Sequence, residues 1–127
     1  MTGIAGVIGD TDTNTPGLMI EKFKYRGRKK REISGRNHAL CVVFDDESAL
    51  YEQDGIVCVT DGNPKLDDVQ GAQAIANGML SGRVAETRGT FAGFFADGET
   101  FYLVRDHFGV RPLYYAKSEN DSISVLN

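Results

Sequence analysis

Apolar residues occur along most of the chain in short runs separated by turn-forming residues, a pattern typical of strands. The runs predict eight strands, at Gly3–Gly9, His38–Phe44, Ala49–Gln53, Ile56–Thr60, Thr90–Ala96, Thr100–Val104, Leu113–Ala116 and Ile123–Leu126. Asp54-Gly55 and Asp97-Gly98 predict hairpin turns, because an Asp-Gly pair tolerates the positive φ angles of the tight turns that join antiparallel strands.

Helical spacing of apolar residues is confined to two segments. Thr15-Pro16 predicts a helix start, and the apolar stripe after it (Leu18, Met19 and Phe23, with Ile20 as a further candidate) predicts a helix that ends near Tyr25. A second helix is predicted over Leu66–Leu80, with a further helical turn at Val84–Arg88. The basic stretch between the first helix and Gly35 predicts a loop.

The hairpin at residues 90–104 carries apolar side chains on both faces, with Phe91, Phe94 and Phe95 on its first strand. A sheet covered on one side would alternate more cleanly, so we expect this hairpin to be covered by a layer on each side. The predicted fold class is α+β, mostly antiparallel sheet with one or two helices, and residues 1–127 are predicted to form one domain.

Composition restricts the class of protein. The chain has 127 residues, of which 41% are apolar, and its mean hydropathy is −0.28. No apolar run approaches the roughly 20 residues of a membrane span, and the N-terminus lacks the pattern of a signal peptide. The two cysteines, Cys41 and Cys58, lie in apolar strands outside any metal or redox spacing, so inert buried thiols are expected. These features predict a cytoplasmic protein.

Charge is distributed unevenly along the chain, whose net charge is −4. The basic segment, residues 24–36, carries seven basic side chains against one acid, Glu32, while acids predominate elsewhere. Such a segment suits an anionic ligand, nucleic acid or an acidic partner surface, or it is a solvated loop. Tyr25 is its only aromatic residue, and this together with the overall acidity argues against nucleic acid.

Two blocks of the chain resemble a known family. Met1-Thr2-Gly3-Ile4-Ala5-Gly6 is similar to the Met-Cys-Gly-Ile-x-Gly opening of class II glutamine amidotransferase domains. The longer block Gly89–Tyr115, with Arg105-Asp106-His107-Phe108-Gly109-Val110-Arg111-Pro112-Leu113-Tyr114-Tyr115 at its end, resembles the glutaminase domain of asparagine synthetases. Arg26-Gly27 resembles the family's Arg-Gly-Pro-Asp loop, and Asp61-Gly62 resembles its Asn-Gly oxyanion pair.

The resemblance implies a trimmed N-terminal-nucleophile hydrolase fold, an αββα sandwich of two antiparallel sheets. It also implies a catalytic site at Thr2, Asp61 and Gly62, with Arg26 and Gly27 binding a glutamine-like small molecule. After removal of Met1, the α-amine of Thr2 would act as base and its hydroxyl as nucleophile, while the Gly62 N–H would hold the oxyanion. The resemblance implies no metal and no organic cofactor.

The sequence departs from the family at this site. Thr2 replaces a cysteine, and a hydroxyl is a poorer nucleophile than a thiol. Asp61 replaces the asparagine donor, and an ionised carboxylate at about 3 Å would repel the oxyanion by ~5 kcal/mol at an effective dielectric near 20. Losing one oxyanion donor alone costs about 3 kcal/mol. The family's two substrate anchors also lack a match, at His38–Val43 for its arginine and at Gly71–Ala74 for its aspartate. Asp67 and Asp68 lie a turn earlier and would replace that aspartate only if the alignment is shifted.

Three functional readings follow. The first is a stand-alone amidotransferase-like domain with degenerate or lost glutaminase activity that acts through contact with a synthetase or another protein, or as a homodimer. The second is an active N-terminal threonine amidohydrolase in which the cations of residues 26–31 recognise an acidic substrate. The third is a polyanion-binding module that uses the basic segment. We expect His107 and an Arg105–Asp106 ion pair to have structural roles.

Overall fold

The computed structural model of the protein describes residues 2–9, 14–98, 100–119 and 122–127. Its contacts divide it into two compact units, Met1–Asp45 with Leu113–Asn127 (unit 1) and Asp46–Pro112 (unit 2). The pairings between the described strands are antiparallel, which confirms the α+β class with mostly antiparallel sheet. The polar run Asp10–Asn14 predicts a turn, and most of that run lies outside the described residues.

Strands outnumber helices in the described part of the chain. The strands are β1 (Thr2–Ile8), β2 (Lys29–Ser34), β3 (His38–Phe44), β4 (Leu50–Gln53), β5 (Ile56–Gly62), β6 (Lys65–Leu66), β7 (Val69–Gln70), β8 (Phe91–Ala96), β9 (Phe101–Arg105), β10 (Tyr114–Lys117) and β11 (Ile123–Leu126). The helices are α1 (Asn14–Ile20) and α2 (Ala72–Ser81), with 3₁₀ turns at Glu21–Arg26, Glu47–Ala49 and Val84–Glu86. All eight predicted strands are therefore confirmed, with small shifts at their ends.

Unit 1 is built on a five-stranded sheet in the order β10-β11-β1-β3-β2. The central strands β1 and β3 are almost wholly buried, as their continuous apolar runs predict. On one face, a cluster of Ala5, Ile20, Cys41 and Val43 joins the sheet to α1. The pairing register of β1 and β3 places Thr2 opposite Phe44, so the start of β1 lies beside the end of β3.

The predicted loop in the basic segment is wrong, because residues 29–34 form strand β2. Only Ile33 of this strand is buried, so its other side chains give no apolar alternation for a sequence pattern to detect. The strand is held by main-chain pairing with β3, from Lys29 opposite Phe44 to Ser34 opposite Ala39. Charged side chains are common on such edge strands, where like charges discourage pairing with a second copy of the same strand.

The first helix is shorter than predicted, and one residue of its predicted apolar stripe, Leu18, does not face the sheet. It begins at Asn14, passes into the 3₁₀ turn after Ile20, and buries Pro16 and Ile20. Met19 and Phe23 pack against the buried cluster, as expected. Leu18 is instead 72% exposed, because a helix of two turns can present only one stripe to the sheet.

Unit 2 contains a four-stranded sheet in the order β4-β5-β8-β9. Helix α2 covers one face, where Ile75 and Ala76 pack with Cys58, Phe91 and Phe95. Every residue of β8 is buried, as the two-sided apolar pattern predicts. The predicted cover on both faces is wrong for β9, an edge strand whose residues are exposed or only partly buried.

The predicted helix at Leu66–Leu80 is correct only from Ala72 onward. Its first part is the small hairpin β6–β7, in which Leu66 pairs with Val69. Asp67 adopts a φ of 54° in the turn, and Gly71 has a φ of 82° immediately before α2. These left-handed conformations interrupt a helix, although the apolar spacing continues through them. The helical turn predicted near Val84 is confirmed, as is the Asp54-Gly55 hairpin.

Candidate functional site

The first predicted site residue, Thr2, is buried at the start of β1, with 6% of its surface exposed. The guanidinium of Arg26 donates from Nη1 to the Thr2 carbonyl oxygen at 3.4 Å and to Oδ1 of Asn127 at 3.2 Å. The same guanidinium lies over the ring of Phe23, 5.6 Å from its centroid. We refer to Thr2, Arg26 and Asn127 as the N-terminal cluster.

Gly27 lies beside this cluster for a steric reason. Its backbone is extended, with a φ of −173°, so left-handed geometry is not the cause. A Cβ at this position would instead collide with the backbone of Phe44, the residue opposite Thr2. The chain therefore passes close to the end of β3 only because residue 27 has no side chain.

Asp61 and Gly62 end strand β5 in unit 2. The Asp61 side chain is 3% exposed, and its Oδ1 lies 3.9 Å from Nη1 of Arg111. At that distance the guanidinium offsets the charge of the carboxylate without a hydrogen bond between these two atoms. Gly62 has a φ of 112°, and a Cβ there would collide with the carbonyl oxygen of Thr90. Its backbone thus adopts a geometry that a side chain would prevent.

The structure brings the predicted residues together in two groups. Thr2, Arg26 and Gly27 lie side by side in unit 1, while Asp61 and Gly62 adjoin each other in unit 2. The sequence pattern did not identify Asn127 or the role of Arg111. Arg111 belongs to the Gly89–Tyr115 block, but its proximity to Asp61 depends on the tertiary fold. Asn127 follows the last predicted strand, where a polar residue is unremarkable.

The positions considered for a substrate-binding aspartate carry other interactions. Residues 71–74 begin α2 without an acid. Asp67, one turn earlier in the predicted helix, accepts hydrogen bonds from both terminal nitrogens of Arg83, at 2.9 and 3.1 Å. Hydrogen bonding to that guanidinium lowers the pKa of Asp67. Its carboxylate therefore forms a surface ion pair, which Arg83 extends to Glu86 at 3.1 Å.

The predicted Arg105–Asp106 ion pair is wrong, and each side chain instead bonds to the backbone. Asp106 accepts the N–H groups of Phe91 at 3.0 Å and of Phe108 and Gly109 at 2.8 Å each, while Arg105 donates to the Gly109 carbonyl. Burial acts to raise the pKa of Asp106, but these N–H groups outweigh it and the pKa is lowered. His107 also contacts the backbone, with Nε2 3.1 Å from the Ala85 oxygen.

Both cysteines are free and buried, as predicted. Burial raises the pKa of Cys41 and of Cys58, so neither thiol is an activated nucleophile. Burial also lowers the pKa of His38. Within the described part of the chain, no group of three or more His, Cys, Asp or Glu side chains is arranged to hold a metal ion.

Neither helix in the described residues has the length and apolar character needed to cross a membrane. A search of the curated proteins found no match. A scan against family models matched the glutamine amidotransferase domain over residues 65–125, just under half of the chain. The match contains the Gly89–Tyr115 block on which the resemblance chiefly depends, whereas Thr2, Arg26, Gly27, Asp61 and Gly62 precede it. Residues 65–125 are thus similar to the glutamine amidotransferase domain.

Proposed function

We propose that this protein is a class II glutamine amidotransferase-like domain, similar to the glutaminase domain of asparagine synthetases, whose glutaminase activity has been lost. The family match supports the amidotransferase assignment. The loss rests on one observation, the buried carboxylate of Asp61 paired with Arg111 at the position that resembles the family's oxyanion donor.

The chemical argument concerns hydrogen-bond donors. Amide hydrolysis builds negative charge on the carbonyl oxygen, and the family's asparagine would donate an N–H to it. An ionised Asp61 has only acceptor atoms and the same sign of charge as the oxyanion. The Arg111 guanidinium lies 3.9 Å from the carboxylate, and a carboxylate in this acceptor form would leave the Gly62 N–H to act without its neighbour.

The nucleophile gives a second, weaker argument. A threonine hydroxyl at residue 2 is almost entirely un-ionised near neutrality, so it needs the α-amine of the same residue as a base. In the N-terminal cluster, the Arg26 guanidinium is bonded to the backbone carbonyl of Thr2 and to Asn127. These bonds hold Arg26 against the start of β1 and the side chain of Asn127. Binding of a substrate carboxylate by Arg26 would have to compete with them.

The remaining features of the proposal follow from the family. Residues 1–127 would act as one domain with the trimmed αββα sandwich of N-terminal-nucleophile hydrolases, in the cytoplasm and without a cofactor. A domain of this kind that lacks turnover would act through contact with a partner, either a synthetase, another protein or a second copy of itself.

A glutaminase assay on protein shown by mass spectrometry to lack Met1 tests the proposal. We expect ammonia release from glutamine to equal that of a Thr2→Ala variant. The gain-of-function arm is the Thr2→Cys/Asp61→Asn double variant, which restores a thiol and an amide donor, with Thr2→Cys alone as its matched control. Turnover by the wild-type protein that Thr2→Ala abolishes would overturn the proposal and support the threonine amidohydrolase instead.

A further inference from the structure

Strand β2 lies at the edge of the five-stranded sheet of unit 1. It pairs with β3 on one side, and in the described sheet no strand follows it on the other. An edge strand presents a row of main-chain N–H and C=O groups that another extended chain can pair with. Five of the six side chains of β2 are exposed, so the strand is accessible along its length.

The two faces of this edge carry different charge. Lys29 and Arg31 lie opposite Phe44 and Val42, and since alternate residues of a strand share a face, their side chains project on the same side. Lys30 and Glu32 project on the other side, where their side chains approach to 3.7 Å. One face of the edge is therefore cationic and the other nearly neutral.

The neutral face borders a groove of about 570 Å³ between β2 and α1. Leu18, 72% exposed, supplies its apolar surface, and Gly17 leaves room beside it. The two acids of the groove, Glu21 and Glu32, each lie within ion-pair distance of a lysine. Leu18 therefore offers a contact for an apolar side chain in an otherwise polar groove, whereas the Lys29–Arg31 face suits an acidic side chain.

We propose that the β2 edge binds an extended acidic segment of a partner protein as an added strand. Aspartate or glutamate at alternate positions of that segment would face Lys29 and Arg31, and the apolar residues between them would enter the groove beside Leu18. Main-chain hydrogen bonds would supply affinity and the alternating side chains specificity, as in other cases of β-strand addition.

The same features disfavour other occupants. Pairing of β2 with β2 of a second copy would concentrate the positive charge of both strands at one edge. Binding of single-stranded nucleic acid uses stacking on aromatic side chains, and Tyr25 is the only aromatic residue of the basic segment.

Binding of a capped octapeptide of alternating glutamate and valine to the full chain tests the proposal by calorimetry. We expect Lys29→Glu/Arg31→Glu to weaken binding by roughly tenfold or more, because two attractions become repulsions. Lys117→Glu, on the opposite edge strand β10 of the same sheet, is the matched control and should change the dissociation constant by less than about twofold. Circular dichroism establishes that the variants are folded.

A second arm separates strand addition from attraction of charge alone. The same peptide with N-methyl groups on the amides that face β2 should lose binding, and the unmodified peptide should slow hydrogen exchange of β2 amides. Equal binding of the N-methylated peptide would overturn the proposal. So would tighter binding of an oligonucleotide that depends on Lys29 and Arg31, or equal loss of binding in Lys117→Glu.

Discussion

Oδ1 of Asp61 and Nη1 of Arg111 lie 3.9 Å apart, and the carboxylate is 3% exposed while the guanidinium side chain is 35% exposed. Both belong to unit 2, where Asp61 is at the end of β5 and Arg111 lies in the loop after β9. A negative charge at a buried position requires compensation, and Arg111 provides it. The two residues should therefore be analysed as a pair in tests of stability.

Removing Arg111 should cost more than removing the charge of Asp61. Arg111→Met leaves a buried carboxylate without this cation, and we expect the free energy of unfolding in urea to fall by about 2–3 kcal/mol. Asp61→Asn leaves a partly exposed guanidinium that water can solvate, so a loss of about 1 kcal/mol is expected. The double variant should be more stable than the sum of the single losses predicts. Strictly additive losses would contradict the pairing.

Among the carboxylates of unit 2, truncation of Asp106 should lower the free energy of unfolding most. Its side chain accepts three backbone N–H groups, among them the buried N–H of Phe91. Asp106→Ala removes these acceptors, so we expect a loss of about 3 kcal/mol in chemical denaturation. Asp106→Asn keeps one acceptor oxygen and should lose roughly half as much. Equal stability of the alanine variant and the wild type would contradict this role.

The same carboxyl group should contribute to acid sensitivity. The pKa of Asp106 is lowered in the folded state, because its N–H partners outweigh the effect of burial. Its stabilisation is then complete above the unfolded pKa of about 3.9 and is lost as the pH falls through the lower folded value. We expect the stability difference between the wild type and Asp106→Asn to shrink below about pH 4. Urea titrations at several pH values measure this stability difference. A difference that grows on acidification would contradict the lowered pKa of Asp106.

Most of the fold could be predicted from apolar runs and turn residues. The strands at His38–Phe44 and Phe91–Ala96 are buried on both faces, so each appears in the sequence as a continuous apolar run. Strand β2 could not be predicted, because main-chain pairing at an edge leaves no apolar signature. The first part of the predicted helix at Leu66–Leu80 was wrong because left-handed backbone at Asp67 and Gly71 is compatible with apolar residues at helical spacing.

The candidate site could be predicted less well than the fold. Resemblance to the family selected Thr2, Arg26 and Asp61, but the interactions that decide their chemistry are tertiary. Asn127 bonds to Arg26 across 101 positions of sequence, and Arg111 approaches Asp61 from the far end of unit 2. The prediction of an Arg105–Asp106 ion pair failed because both side chains bond to backbone groups, which adjacency in the sequence does not reveal.

Gly62→Ala should destabilise the protein severely. The residue has a φ of 112°, and a Cβ would collide with the Thr90 carbonyl, so we expect a loss of about 3 kcal/mol or more. Gly17→Ala is the matched control, because a Cβ in that helix meets no atom within 4 Å in the described part of the chain. It should raise the stability by up to about 1 kcal/mol. Thermal unfolding compares the two, and similar effects at both sites would contradict the steric explanation.

Both native thiols should resist alkylation until the protein unfolds. Cys41 and Cys58 are fully buried, and burial raises the pKa of each, so little reactive thiolate forms and reagent cannot reach it. We expect mass spectrometry after iodoacetamide treatment to show no adduct in native buffer and two adducts in urea. Gln73→Cys, at an exposed position of α2, should acquire one adduct rapidly in native buffer and provides the control for reagent activity. Rapid native labelling of the wild type would show that at least one strand opens far more easily than its burial implies.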